Sequence, residues 1–258
     1  MRSFFLRLLF AVVCHAACIG GTAQAAEVTV AVAANFTAPM QKIAQAFERD
    51  TGHKALLAFG STGKFYAQIK NGAPFSLLLS ADDETPLRLE KEGFTVAGTR
   101  FTYAIGKLAL WSKNPALIDD KGQVLLGDTA DKKNFKKLAI ADPKLAPYGV
   151  AALEVMQRTG VLALVSSKLV QGDSIGQAFQ FVMTENAELG FVALSQIWLD
   201  GRITQGSAWV VPLSLYAPLK QDAVLLQIGK DNAAALSLMQ YLRSERAQSI
   251  IRSYGYAL

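Results

Sequence analysis

Four times along this chain an apolar stretch with strand character runs into a short turn and then into a helix-patterned segment. The turns are Ala34-Asn35-Phe36-Thr37, Gly60-Ser61-Thr62-Gly63, Pro147-Tyr148-Gly149 and Asp173-Ser174-Ile175-Gly176. Strands alternating with helices predict parallel sheets covered on both faces. Ligands of such sheets bind beyond the carboxyl ends of the strands. A helix start leaves backbone N–H groups without partners and carries partial positive charge, so each turn is an anion site in outline. Four of them aimed at one point would hold a small oxyanion with no charged side chain.

The elements between the turns follow from hydrophobic period. Glu27 to Ala33 alternates and is rich in Val, the pattern of a buried strand. Met40, Ile43, Ala44 and Phe47 then recur at helical spacing, with Thr37 as a cap and Gly52 as a stop. Lys54 to Phe59, Phe75 to Ser80, Lys107 to Ser112, Lys137 to Ala141, Lys168 to Gln171, Leu189 to Leu194 and Ala223 to Ile228 read as further strands. Helices are predicted over Lys64 to Lys70, Pro147 to Arg158, Ser174 to Glu185 and Ala233 to Arg246, the last carrying Leu236, Met239, Leu242 and Ala247 on one face.

Two α/β lobes fit this order, with crossings near Phe101 to Leu108 and Val210 to Pro218. The first lobe is expected to take residues 26–106 and a return segment 213–258, and the second lobe residues 107–212. Two of the four turns fall in each lobe, which places the ligand in the cleft between them.

The amino terminus reads as an export signal over residues 1–25. Arg2 and Arg7 flank a short basic region, Leu8 to Ile19 is largely apolar, and Ala23-Gln24-Ala25 is a small-residue cleavage pattern. The run is too short for a comfortable membrane span. Both cysteines, Cys14 and Cys18, lie inside it. The mature protein is therefore expected to be periplasmic, without a disulfide or thiol nucleophile. Taking Arg2 and Arg7 from the 26 basic residues leaves 24 against 21 acidic ones, an excess of three. Such scattered charge, as in Lys132-Lys133 and Lys136-Lys137, does not suggest nucleic acid.

Catalytic chemistry finds few groups to work with. His53 is the single histidine beyond the signal and lies between a helix end and a strand. Gly60-Ser61-Thr62-Gly63-Lys64 has a superficial likeness to a phosphate loop. However, two residues rather than four separate its glycines, and Phe65 stands where Ser or Thr is needed. The acidic run Asp82-Asp83-Glu84 suits either acid–base work or the capping of a helix start. Tyr148 has two readings: its phenol donates to a bound oxyanion, or its ring stacks on a neighbouring core.

Neutral donors also discriminate. A protonated oxyanion would turn its O–H toward another donor, which is costly when buried. The site should thus favour a fully deprotonated tetrahedral dianion such as molybdate, tungstate or sulfate.

The chain resembles the periplasmic molybdate-binding proteins of ATP-driven importers. The likeness rests on Val30-Ala31-Val32-Ala33-Ala34-Asn35-Phe36, Phe59-Gly60-Ser61-Thr62-Gly63, Gln68-Ile69-Lys70-Asn71-Gly72-Ala73-Pro74, Leu78-Leu79-Ser80-Ala81-Asp82, the stretch from Phe101 to Leu108, Asp142-Pro143-Lys144-Leu145-Ala146-Pro147-Tyr148-Gly149 and Leu189-Gly190-Phe191-Val192-Ala193-Leu194. It implies a type II periplasmic binding fold with a hinged interlobe cleft that closes over molybdate or tungstate. It also implies a monomer without cofactor or bare metal ion, and a permease and ATPase as partners.

Carried onto this chain, the resemblance implies four anion contacts. Asn35 would use side chain and backbone, Thr62 its hydroxyl, Tyr148 its phenol and Ile175 its backbone N–H. Other members carry alanine at the third turn and a tyrosine at the position of Ala193, so here the two positions exchange roles. Ala34 departs from a threonine found in the Tyr148-type subgroup, which removes one donor. Ser61 either compensates or satisfies the local turn. Other classes also stand on the sequence: a sulfate receptor on the same fold, an exported α/β enzyme using Asp82 or His53, or a two-lobed sensor.

Overall fold

The computed structural model describes residues 25–126 and 135–258. Residues 1–24 of the expected signal, with Cys14 and Cys18, and the pair Lys132-Lys133 lie outside the described residues. In chain order the elements are β1 (Glu27–Ala33), α1 (Thr37–Thr51), β2 (Lys54–Gly60), α2 (Thr62–Lys70), β3 (Leu77–Leu79), α3 (Glu84–Lys91), β4 (Phe101–Gly106), β5 (Leu108–Ser112), β6 (Leu138–Ala141), α4 (Pro147–Arg158), α5 (Leu162–Val165), β7 (Leu169–Gly172), α6 (Ile175–Met183) and β8 (Leu189–Ala193). A small hairpin, β9 (Trp198–Leu199) and β10 (Arg202–Ile203), precedes β11 (Ser207–Val210), β12 (Leu219–Leu225), α7 (Ala233–Tyr241) and α8 (Glu245–Ser253).

Two five-stranded sheets organise the chain, in the orders β2-β1-β3-β12-β4 and β11-β5-β8-β6-β7. Each is the spine of one lobe. β1 makes the first sheet viable on both faces. Val28, Val30 and Val32 pack with Met40, Ile43 and Phe47 of α1, while Ala31 packs with Phe65 and Ile69 of α2. Fully burying each of these large side chains contributes roughly 1.5–3 kcal/mol. In the second lobe Leu110, Trp111, Phe191 and Met156 are buried together.

The sheets are mixed, not parallel as the alternation alone predicts. β1 runs parallel to β2 and β3, and β6 parallel to β7 and β8. β12 is antiparallel to β3 and β4, and β5 antiparallel to β8 and β11. The cause is the path between lobes. The chain leaves the first sheet at Gly106 and enters the second at Leu108, then returns between Val210 and Leu219. A strand that enters a sheet from the cleft must run away from it, opposite to strands whose carboxyl ends face the cleft.

Other differences are local. The predicted final helix is two helices. Its pattern breaks at Ser244, whose hydroxyl accepts from the Ala247 N–H at 3.3 Å and starts α8. Leu236, expected on the packed face, is exposed. Thr37 does not cap α1, since its hydroxyl donates to the Ala34 carbonyl at 2.8 Å. Gly52 does stop α1, in the left-handed region at φ 74° with its N–H on the Glu48 carbonyl. The β9–β10 hairpin reaches back to the first lobe, where the Asp200 N–H donates to the Ser253 carbonyl at 2.9 Å.

Candidate functional site

All four turns lie at carboxyl ends of strands and meet at one small cavity between the sheets, lined by Asn35, Ser61, Thr62, Tyr148, Ser174 and Ile175 among others. Its free space is about 10 Å³ for the centre of a water-sized sphere, room for one small group. No Lys, Arg, His, Asp or Glu lines it. The structure therefore brings Asn35, Thr62, Tyr148 and Ile175 together. Ala193, at the end of β8, is buried and does not line the cavity.

Each turn delivers its residue differently. Thr62 and Ile175 are the first residues of α2 and α6, positions whose N–H groups have no intrahelical acceptor. The Thr62 oxygen accepts from the Ala81 N–H at 3.0 Å, which leaves its proton free to donate. Tyr148 follows Pro147, the first residue of α4, where fixed φ and a missing N–H cost nothing. Gly149 follows because a Cβ there would lie 2.2 Å from the Ala141 carbonyl oxygen.

Asn35 is tied more tightly than the sequence suggests. Its side-chain Nδ2 donates to Gln221 Oε1 at 2.8 Å and to the Tyr256 hydroxyl at 2.9 Å, and its Oδ1 is buried without a partner. The Asn35 carbonyl accepts from Ser195 Oγ at 2.7 Å and Tyr256 Oη at 2.8 Å. The Asn35 amide is thus fixed by groups of the protein, and its backbone N–H is a further donor at this turn.

A buried polar network backs the cavity. The Tyr103 hydroxyl donates to the Ser80 carbonyl at 2.9 Å, and the Gln221 amide lies 3.0 Å from that hydroxyl and 3.1 Å from Tyr148 Oη. Phe36 packs edge-on against both Tyr103 and Tyr256, at centroid distances of 4.8 and 5.4 Å. Burial pushes the Tyr103 and Tyr148 phenols well above the ordinary tyrosine value and Tyr256 up to about 12. All three are neutral donors at physiological pH.

The remaining candidates have structural partners. Asp82 Oδ1 accepts from the Thr85 N–H at 2.9 Å and Ser80 Oγ at 3.0 Å, closing the first turn of α3. Burial raises its pKa, opposed by those same hydrogen bonds. His53 Nδ1 accepts from the Ala26 N–H at 3.2 Å. Lys64, in the loop that superficially resembles a phosphate binder, pairs with Asp173 across the cleft. No cluster of His, Cys, Asp and Glu suited to a metal ion occurs among the described residues.

Sequence reasoning missed Gln221, Tyr256, Tyr103, Ser195 and Gly106. The available signal was the polar run Lys220-Gln221-Asp222 directly before the apolar stretch Ala223-Val224-Leu225. It disguises the start of β12, which the sequence reading began only at Ala223.

Comparison with known proteins agrees with the geometry. The chain is 61% identical over 237 residues to the molybdate-binding protein ModA of Azotobacter vinelandii, covering 92% of each. It is 52% identical over 235 residues to ModA of Rhodobacter capsulatus, covering 91% of this chain and 89% of that one. A solved structure of a periplasmic molybdate-binding protein from Azotobacter vinelandii superposes with a TM-score of 0.85 at 39% identity, over 90% of this chain and 99% of that one. These relatives are binding proteins, not enzymes, and the two-lobed architecture is the type II periplasmic binding fold. The model of the bacterial extracellular solute-binding proteins matches residues 28–257, and the chain belongs to that family.

Proposed function

We propose that this protein is the periplasmic receptor of an ATP-driven importer, capturing molybdate and also tungstate and handing them to a permease and ATPase. The observation that carries the reading is the convergence of four strand-to-helix turns on one cavity lined by neutral groups. The names of the relatives, molybdate-binding proteins at 61% and 52% identity, support the choice of oxyanion. The segment 1–25 acts as the export signal, and the mature receptor works as a monomer.

The ligand contacts are the backbone N–H groups of Asn35 and Ile175, the hydroxyls of Ser61 and Thr62, and the Tyr148 phenol. Donors on a dianion form charge-assisted hydrogen bonds, the stronger kind. A protonated oxyanion such as hydrogen phosphate would bring its own O–H to a donor-lined wall and be rejected. Capture follows hinge closure: the anion touches turns from both lobes and so favours the closed arrangement over the open one.

Isothermal titration with molybdate, tungstate and sulfate tests this reading. Micromolar or tighter binding of molybdate and tungstate is expected, with thermal stabilisation that grows with ligand concentration. Absence of binding to both at micromolar concentration refutes the proposal, and sulfate displacing molybdate at equal concentration reassigns the ligand.

A further inference from the structure

The two crossings between the lobes differ in length. Lys107 alone separates β4 from β5, while residues 211–218 separate β11 from β12. The longer crossing nevertheless does not hang free. Its Val211 N–H donates to the Leu108 carbonyl at 3.0 Å, and Tyr216 Oη accepts from the Leu108 N–H at 3.1 Å. Arg158 Nη1 donates to the Ser214 carbonyl at 2.9 Å, and Glu154 Oε2 accepts from the Ala217 N–H at 2.7 Å. Every one of these bonds contains a backbone group or a guanidinium that can play a single role, so no choice of side-chain orientation alters them.

All the partners belong to the second lobe: Leu108 starts β5, and Glu154 and Arg158 lie on α4. Tyr216 is itself buried in the core cluster that holds Leu110 and Trp111. The first lobe takes over abruptly. Leu219 pairs with Gly106 and Lys220 with Ile105 in the ladder of β12 and β4. The shorter crossing changes hands just as sharply. Gly106 pairs with Leu219, whereas Leu108 pairs with Ala193 of β8 and the Lys107 carbonyl accepts from the Leu194 N–H at 2.9 Å. Lys107 and Pro218 stand where one set of bonds gives way to the other.

We propose that the lobes turn about Lys107 and Pro218, and that residues 213–217, expected from the sequence in the first lobe, move with the second lobe in the grip of α4. This rests on the oxyanion-receptor reading above. Tyr148 lies at the start of α4, with Glu154 and Arg158 further along it. The helix that meets the anion thus also holds the chain next to the pivot. Pro218 has a fixed φ and restricts Ala217 before it, so the open form gains little freedom at this crossing.

Amide hydrogen exchange followed by NMR, with and without molybdate, tests the assignment. The Gly63 N–H, bonded across the cleft to the Leu145 carbonyl at 2.9 Å, should gain protection when molybdate binds. The Leu108 and Ala217 amides should be protected alike in both states, because their acceptors travel with them. Loss of protection at Leu108 and Ala217 in the ligand-free protein, in step with Gly63, would move the pivot upstream and overturn the proposal. Molybdate binding without any change at Gly63 would also overturn it.

Substitutions give a second arm. Pro218→Ala, and Lys107→Gly compared with Lys107→Ala, add freedom to the open form and should weaken molybdate about 2- to 5-fold. Ser214→Gly, in the gripped segment, should leave affinity unchanged. A loss from Ser214→Gly as large as that from Pro218→Ala, or no loss at either pivot residue, overturns the proposal. A wild-type protein that binds no oxyanion instead refutes the receptor reading itself.

Discussion

The Gly63 N–H donates to the Leu145 carbonyl at 2.9 Å, joining the first turn of α2 to the loop before α4. These residues belong to opposite lobes, so the bond exists only while the cleft is closed. A Cβ on Gly63 would stand 3.0 Å from the Leu145 oxygen and 3.1 Å from its Cα. The lobes approach as closely as they do because this position carries no side chain.

Gly63→Ala should therefore oppose closure without harming either lobe. Alanine is the better helix residue by up to about 1 kcal/mol, so the ligand-free protein should melt no lower than wild type. Crowding against backbone costs about 1–3 kcal/mol, which predicts molybdate binding weakened about 5- to 150-fold. Titration calorimetry with a ligand-free melting curve checks both halves. A variant with unchanged affinity would show that the closed contact does not contribute to binding.

The Lys64–Asp173 pair also spans the cleft, but its effect should be small. Both side chains are about half exposed, at 46% and 63%. Pairs of this kind contribute about 0–1 kcal/mol and are screened by salt. Lys64→Ala should weaken molybdate less than about 5-fold, with the difference shrinking as ionic strength rises. Affinity measured at low and high salt decides whether Lys64 is this weak latch or a direct anion contact, which would lose far more.

Much of the cleft was legible because its parts are local. Each turn announces itself by a strand pattern ending in residues such as Gly60-Ser61 or Pro147-Tyr148, and the helix start follows from backbone geometry alone. The polar network behind the cleft was not legible. Asn35, Gln221 and Tyr256 are joined over sequence separations of 186 and 221 residues, and nothing in the sequence near Asn35 indicates that its amide is held from so far along the chain. Strand direction failed for a similar reason. β5 and β12 have ordinary strand patterns, and their antiparallel sense comes from entering each sheet at the cleft.

Gly106→Ala tests the space behind Tyr148. The added carbon would fall 2.2 Å from Tyr148 Oη, so the phenol must move or the strands must part. Molybdate affinity should drop at least as far as in Tyr148→Phe, and the ligand-free protein should lose about 1–3 kcal/mol from overpacking. Denaturant unfolding gives the stability and calorimetry the affinity. If affinity falls while stability holds, Tyr148 has swung away; if both are unchanged, the contact does not constrain the phenol.

The buried phenols set an alkaline limit to stability. Tyr103, Tyr148 and Tyr256 have folded pKa values above the ordinary value near 10, to about 12 for Tyr256, because burial disfavours the phenolate. Below pH 10 folded and unfolded chains are both protonated, and these groups add no pH dependence. Above it the unfolded chain releases protons that the folded one keeps, so unfolding becomes easier as pH rises. Each phenol contributes about 1.4 kcal/mol per pH unit, or roughly 4 kcal/mol for the three together. Base titration followed by circular dichroism should show cooperative unfolding between about pH 10 and 12, with stability flat from pH 7 to 9.

Ser61 supplies the sharpest contrast between a structural and a binding role. It holds the N-cap position of α2 with extended backbone, yet its side chain makes no capping bond. The reason lies across the cleft: the Gly63 N–H, a usual partner of such a cap, is taken by Leu145. Ser61 Oγ is left buried at 3% exposure, lining the cavity without a partner. An unsatisfied buried hydroxyl costs about 1–3 kcal/mol, a cost offset when it donates to a bound dianion. Ser61→Ala should thus leave the ligand-free protein as stable as wild type or about 1 kcal/mol more so, and weaken molybdate roughly tenfold. A serine kept only for its turn would give the opposite signature, lower stability at unchanged affinity, and melting curves with and without molybdate tell the two apart.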